Sequence, residues 1–581
     1  MSHRVFRKTP LHVLLLLVWL AIGTMMRFSN LASLPPWTDE CATIAFSLGN
    51  SFLTVPLNEI VSANVILQPL QSNTGAGIGS VAEHLSNEST HPPLYFFLTH
   101  LWMKVFSPPQ ELASISAARS LSALFGVFSI PALFSCGYFV FRSLAIAQMA
   151  AAMMAVSPYA IFLARQARHY TLASLLAIAS LYCFLKAIEI IQNRRAFPIW
   201  MMSAWIVINC LGIATHYFFV LTLCTQALVL LLHILRQIQK GKFVELQPYW
   251  WPIGLVAVGT LIGCLVWLPA LYGIYGSEPT NWVADGNPRT DWFGPVGRLL
   301  IWLVSVFLLL PSAFTHLSLT IVIVSGAVSL LFLMWSLPHL LSGLKTQQQN
   351  PNDRLAIQIL VEYVVVAIAL ILGITYGLGM DLTLAARFQF FIAPAIVLLL
   401  AAALAGIWQY PEKLYSAKKQ LSPIGNGAVR VAIIYFMATL GSFTAVDNLG
   451  YLQNHRPDLL APIIQANSQD PALIATTHKH HGQTGRMMGL AWEFKHFSDS
   501  QAPGKDWTFF LAHRDPETKT YTSAIQAFQQ QLAQLPRPFD LWLVDFRAGI
   551  DLQPQQCLPD DRGRQSAGEY RYQQYRCQTT N

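Results

Sequence analysis

Apolar runs of roughly 20 residues recur through the first three-quarters of this sequence, and no other feature limits its fold so strongly. At about 1.5 Å of rise per helical residue, such a run matches the roughly 30 Å hydrocarbon core of a bilayer. Inside that layer every backbone N–H and C=O must be bonded within the protein, so runs of this length read as helices. Of the 581 residues, 54% are hydrophobic and 11% charged, where a typical soluble protein is about 25% charged. The expected fold class is a polytopic α-helical membrane protein.

The runs lie at about 11–26, 114–140, 144–162, 170–190, 198–214, 217–235, 250–272, 317–337, 355–377, 388–407 and 429–447, roughly eleven spans. The difficult segment is Leu299 to Leu310, just before Pro311. If it spanned, Lys345, Arg354, Lys413, Lys418 and Lys419 would lie outside. As a re-entrant or interfacial helix it returns them to the cytoplasm, with Arg142, Arg194, Arg195, Arg236, Lys240 and Lys242. The expected topology is a multi-pass plasma (inner) membrane protein. Its N-terminus is cytoplasmic, behind Arg4, Arg7 and Lys8, and its C-terminal region is extracytoplasmic. The net charge of +8 is scattered through short loops as a topology signal, so no nucleic-acid partner is expected.

Residues 1–447 read as the transmembrane domain, with 27–112 as a long first extracytoplasmic loop. Within that loop, Phe52 to Leu70 mixes apolar and polar residues as a helix lying on the bilayer would. From about Asn448 the composition changes. Short β-rich runs (Leu473 to Thr476, Trp507 to Ala512, Leu541 to Phe546) alternate with polar segments of helical pattern such as Thr522 to Gln534. This predicts a small soluble α/β domain over 448–581. Cys557 and Cys577 fall there, where an oxidising compartment would allow a disulfide.

Ionisable side chains within a membrane cost about 2.5–3.5 kcal/mol at a helix centre, so each asks for a reason. Pro35-Pro36-Trp37-Thr38-Asp39-Glu40 places two carboxylates just after the first span. Thr38 is a suitable N-cap and acids favour a helix N-terminus, so capping is the bland reading. Mutual repulsion could also raise one carboxyl toward a base's working range. His91-Pro92-Pro93-Leu94-Tyr95 could hold an imidazole at the surface or be an interfacial turn. Arg165 and Arg168, just before Tyr170, stand against the charge rule. If helical, the two arginines share a face, and their forks suit phosphate oxygens better than simple snorkelling requires. His216 and Tyr217 lie between apolar runs, and Arg387 is an isolated cation at a helix end. Arg119 is expected to brace a neighbouring helix or carbonyl. His478, His480 and His481 fit no zinc pattern and read as a polar surface loop. No P-loop, dinucleotide fingerprint or G-x-S-x-G is present in the sequence.

Asp39-Glu40 after the first helix, His91-Pro92-Pro93-Leu94-Tyr95, Ala164-Arg-Gln-Ala-Arg168-His-Tyr170, His216-Tyr217 and Arg387-Phe388 occur in that order. Together they resemble the family 39 glycosyltransferases and relatives of the GT-C fold, which include protein O-mannosyltransferases and lipid A aminoarabinose transferases. The resemblance implies inverting sugar transfer from a polyprenyl-phosphate carrier to a lipid, glycan or protein acceptor outside the membrane. It makes Asp39 the general base with Glu40 assisting, places Arg168 and Arg387 near the donor phosphate and puts His91 where some relatives carry Lys; Arg165 joins this donor-phosphate set on the charge argument above. Tyr95, Tyr170, His216 and Tyr217 would contact substrate. No cofactor is required by such chemistry, and no complete ligand set for a divalent cation is visible. The competing readings are a transporter or flippase for lipid-linked or anionic substrates, which inverted repeats would favour, and a structural membrane protein.

Overall fold

A computed structural model describes residues 9–108, 111–241, 249–268, 278–283, 290–313, 317–409, 426–500 and 507–578. The expected basic flank at Arg4, Arg7 and Lys8 and the cations Lys242, Lys413, Lys418 and Lys419 lie outside those residues. The chain divides into two compact units. One comprises Met1–Asn30, Ser120–Tyr275 and Thr280–Leu452, and the other Leu31–Arg119, Gly276–Pro279 and Gln453–Asn581. The division therefore does not follow chain order. The polar segment 31–119 belongs with the C-terminal residues rather than with the bundle.

The first unit is a bundle of apolar helices, and the chain is a multi-pass membrane protein. Among the described residues, seven helices are long and apolar enough to span: Pro10–Phe28, Ile115–Phe141, Tyr170–Gln192, Tyr217–Gln239, Leu319–Gln348, Pro351–Leu378 and Gly427–Val446. An eighth arises if Leu144–Val156 and Pro158–Ala164, bent by 55° at Pro158, count as one. Roughly eleven were expected from hydropathy. The difference lies in Ile199–Thr215, Trp251–Leu265 and Ala393–Gln409, which are apolar but only 17, 15 and 17 residues long. Over the described residues, at 1.5 Å per residue, these reach about 22–26 Å, against a hydrocarbon core of about 30 Å. The ambiguous segment forms the helix Gly294–Ser305 of 12 residues, also too short to span.

Polar side chains pin the bundle from within. Arg27 donates to Ala155 O (3.0 Å) and Met154 O (2.7 Å). Ser180 lies between Asn209 (2.8 Å), Gln226 (3.0 Å) and Trp205 (3.1 Å). Where Leu319–Gln348 crosses Ala393–Gln409, Gly343 and Gly406 meet so closely that a Cβ on either would strike the other helix's backbone within about 2.2 Å. Only hydrogen fits there, the small-residue packing membranes favour.

The second unit is built on a seven-stranded sheet: β1 (Ile60–Ser62), β2 (Ala472–His478), β3 (Trp507–His513), β4 (Phe539–Val544), β5 (Cys557–Pro559), β6 (Gln565–Ala567) and β7 (Tyr570–Cys577). The order is β1-β3-β2-β4-β7-β5, with β6 on β7. The three central strands are parallel and β1 and β7 run antiparallel to them. β2 is buried along its whole length, as a strand covered on both faces should be. Its helices include His481–Ser500 and Thr522–Gln534. The three strands and the helix expected in this region are present. β1 was not expected: Phe52 to Leu70 is not one surface helix but two short 3₁₀ turns, β1 and the helix Ala63–Ile66. Pro56, Pro69 and the left-handed Asn58 (φ 60°) interrupt any continuous helix. Cys557 and Cys577 form a disulfide across β5 and β7.

The three histidines do not form an exposed loop. His478 ends β2 and is buried, its Nδ1 2.9 Å from His513 Nδ1 and its Nε2 3.0 Å from Thr484 Oγ1. Burial, then the neighbouring His513, pushes the His478 imidazole down to about 3. An imidazole that titrates near 6.5 when unfolded is protonated preferentially in the unfolded chain. Its contribution is thus complete above about pH 6.5 and lost as the pH falls toward 3. Hydrogen exchange of β2 and β3 in the intact protein should show protection falling from pH 7 to pH 4, by about 1.4 kcal/mol per pH unit for one such group. The fall should be shallower in His478→Asn.

Candidate functional site

The acidic motif opens the helix Thr38–Ser47. Pro35 and Pro36 supply an extended approach, and the N-cap is Trp37, not Thr38 (φ −86°, ψ 171°). Glu40, at the third helical position, reaches back to accept from Trp37 N at 3.3 Å, the returning half of a capping box.

Glu40 is fully buried and held by Arg119 through two parallel bonds, Nε to Oε1 at 2.7 Å and Nη2 to Oε2 at 2.6 Å. The other guanidinium hydrogens go to Leu31 O (2.6 Å), Leu34 O (2.9 Å) and Pro35 O (3.0 Å). All five donors of a guanidinium are thereby used. Arg119 is the brace the sequence suggests, and its partner is one of the two expected catalytic acids. Glu40 serves the helix start. Asp39, one residue on, keeps part of its surface accessible and has His481 in its electrostatic surroundings. Desolvation, then His480, pushes His481 down to about 4 against the opposing pull of Asp39.

The same unit holds His91 and Tyr95. His91 Nδ1 lies 3.2 Å from Ser89 Oγ and its ring meets Phe96 edge-on at 6.0 Å. Tyr95 is wholly buried in the helix Leu94–Phe106. That helix packs on the acidic one through Phe46 and Phe96 (6.5 Å) and through His100 Nδ1 donating to Ser47 O at 2.7 Å.

The remaining residues belong to the bundle unit and separate into two groups. The helix containing Tyr159 stops at Ala164 and the next begins at Tyr170, so Arg165 and Arg168 lie in a connecting turn rather than on one helix face. Arg165 donates to Ser29 O, to Asn30 O (3.1 Å) and to Val446 O (3.0 Å), tying two span ends together. These bonds direct its guanidinium to main-chain carbonyls.

Arg168, Tyr170, His216 and Arg387 are brought together by aromatic contacts. The Arg168 guanidinium lies 5.7 Å from the Tyr170 ring, and Tyr170 lies 5.4 Å from His216. His216 meets Phe218 at 5.3 Å and Phe390 at 5.6 Å, and Phe218 meets Phe388 edge-on at 4.7 Å. Arg387 lies over Trp282 (5.7 Å) and Phe388 (5.5 Å). Tyr217 turns instead toward Trp267 at 6.1 Å. His169, within the sequence motif yet not singled out, stacks edge-on against His216 at 4.3 Å. Sequence reasoning also passed over Asp381, which is buried and bonded by Arg298 (2.5 Å) and Thr383 (2.6 Å). Its own N–H donates to Val283 O at 2.8 Å, linking the segments that carry Arg387 and Trp282. A local ion-pair signal could not reveal it, because Arg298 and Asp381 are 83 residues apart.

Among the described residues no group of three or more His, Cys, Asp or Glu side chains is arranged to hold a metal ion. Of the loop Gly273 to Pro295, 273–277 and 284–289 lie outside the described residues.

No family model and no characterised relative matches the sequence. Solved structures similar in fold include ArnT from Cupriavidus metallidurans bound to undecaprenyl phosphate, at 13% identity over 97% of both chains with a TM-score of 0.49. Another is the archaeal oligosaccharyltransferase AglB from Archaeoglobus fulgidus in complex with an inhibitory peptide and a dolichol-phosphate. It is 13% identical, matched over 84% of this chain and 64% of its own, with a TM-score of 0.41. Likeness at this level assigns neither activity nor substrate, which rest on the residues themselves.

Removing Arg119 should leave a buried carboxylate and three carbonyls without donors. Arg119→Ala is expected to destabilise the acidic helix by about 3–5 kcal/mol, read as a lowered unfolding temperature of the solubilised protein. Arg119→Lys should recover little, since an ammonium cannot reproduce the fork.

Proposed function

We propose that the chain is an inverting glycosyltransferase acting on the extracytoplasmic face of a plasma (inner) membrane. It moves a sugar from a polyprenyl-phosphate carrier to a hydroxyl or amine of a lipid, glycan or protein acceptor. The observation that carries this reading is the division of roles at two adjacent acids. Glu40 is paired with Arg119 and fixes the helix start, so in this reading the base's role falls to the neighbouring Asp39, partly accessible at the first turn. The cation–aromatic cluster of the bundle supports the other half of the chemistry. The Cys557–Cys577 disulfide supports an oxidising location for the second unit.

In this reaction Asp39 accepts the proton of the acceptor hydroxyl or amine as its lone pair attacks the anomeric carbon. The bond between that carbon and the phosphate oxygen breaks, and its electron pair leaves with the carrier phosphate. Attack opposite the leaving group inverts the anomeric configuration. Arg168 and Arg387 meet the growing charge on the phosphate with guanidinium donors, while Tyr170 and His216 shape the approach of the sugar. His91 remains a secondary candidate for the donor phosphate, and Tyr217 for the substrate. The carrier phosphate is already a competent leaving group, so the reaction as written draws on no nucleotide, metal or redox cofactor.

The test supplies the purified full-length protein with a panel of undecaprenyl-phosphate-linked hexoses, pentoses and aminopentoses and measures release of undecaprenyl phosphate. Asp39→Asn should lower kcat by about 10²–10⁴-fold, and the transferred sugar should carry the opposite anomeric configuration. An Arg168→Ala, Arg387→Ala double variant should lose most donor turnover. Undiminished activity in Asp39→Asn would sink the base assignment, and full activity in the double variant would sink the phosphate site.

A further inference from the structure

The acidic motif is seated on C-terminal residues of its own unit, and the contacts form a continuous chain. Thr38, the first residue of the acidic helix, has its Oγ1 3.1 Å from His455 Nδ1. The opposite ring nitrogen, Nε2, is hydrogen-bonded by Arg486. A guanidinium only donates, so His455 Nε2 is the acceptor and the imidazole's proton sits on Nδ1, directed at Thr38. Arg486 in turn is paired with Asp545, at the end of β4, and lies 5.7 Å from the buried Tyr570 ring. Asp545 is itself held by the main chain of Arg571, accepting from its N–H at 3.1 Å and donating to its carbonyl at 2.7 Å. Glu569 also approaches His455, with Oε2 3.6 Å from Nε2.

A second feature acts on the same residues. The helix His481–Ser500 crosses the motif at two glycines one turn apart. A Cβ on Gly485 would stand 3.0 Å from Thr38 O, and one on Gly489 would stand 3.1 Å from Pro36 O and 2.9 Å from Pro457 Cγ. The helix backbone therefore rests directly against the backbone that precedes Asp39.

We propose that Asp545, Arg486 and His455 form a positioning relay that sets the Asp39 carboxylate by fixing Thr38, so the C-terminal residues are part of the acidic site's machinery. Its catalytic consequence rests on the reading of Asp39 as base, whereas its structural consequence does not. None of the three touches the reacting atoms; they act through Thr38. Thr38→Ser keeps the hydroxyl and Thr38→Val removes it. His455→Asn keeps a donor near the Nδ1 position and His455→Ala removes it.

Two measurements on the purified full-length protein test the relay. In hydrogen exchange, the peptide spanning 36–44 should exchange at least tenfold faster in Thr38→Val and His455→Ala. Thr38→Ser and His455→Asn should restore protection, while β2 and β4 stay unchanged throughout. With the active member of the undecaprenyl-phosphate sugar panel, Thr38→Val and His455→Ala should lose kcat about tenfold or more with donor KM within twofold. Unchanged exchange at 36–44 overturns the relay, as does a loss that the conservative variants fail to restore. Loss of protection throughout the sheet also overturns it, because the residues would then be general framework. If Asp39→Asn is inactive but Thr38→Val is fully active, the relay fails and the base reading stands. If Asp39→Asn is fully active, the base reading fails whatever the exchange shows.

Discussion

The geometry of the acidic motif depends on one guanidinium. Arg119 gathers the carbonyls of Leu31, Leu34 and Pro35 and both oxygens of Glu40 around a single planar group. A buried ion pair seldom adds stability over an apolar pair, because desolvating both charges offsets much of their attraction. What this one supplies is direction. Three carbonyls of a non-repeating segment would otherwise be short of donors, and a single fork orders them while fixing the helix that follows. Burial makes the arrangement demanding: every donor is matched, so no smaller or rounder cation can take its place.

Much of the architecture is legible in the sequence because it is written in local patterns. The apolar runs are helices, and the β-rich runs at Leu473, Trp507 and Leu541 are the three parallel strands. The span count is less legible. Hydropathy registers how apolar a run is, but where a helix begins depends on single residues and on packing, so the span expected from Phe388 begins only at Ala393, after the 3₁₀ turn Ala386–Phe391. β1 was hidden for a different reason. Three residues at Ile60–Ser62 carry too little periodicity to announce a strand, and their pairing partner lies near residue 510.

The candidate site shows the same limit more sharply. Arg165 and Arg168 are equally cationic and three apart, yet one ties span ends through carbonyls while the other joins an aromatic cluster. The helix break between Ala164 and Tyr170 separates them, and a face argument built on helical spacing cannot see it. Asp39 and Glu40 differ in a comparable way. Adjacent positions on a helix point about 100° apart, so one carboxyl turns to Arg119 and the other does not.

The pairing of β1 with β3 places Ile60 opposite Phe510, 450 positions later in the chain (510 − 60). At ribosomal rates of about 5–20 residues per second, that interval is roughly 20–90 seconds. The acidic segment must therefore persist without its sheet while most of the bundle is synthesised. Loop closure over such a separation is entropically slow compared with forming local helices. The Thr38–His455 contact is subject to the same delay. The protein thus has a built-in maturation interval in which the bundle can be inserted before the seat of the acidic motif exists.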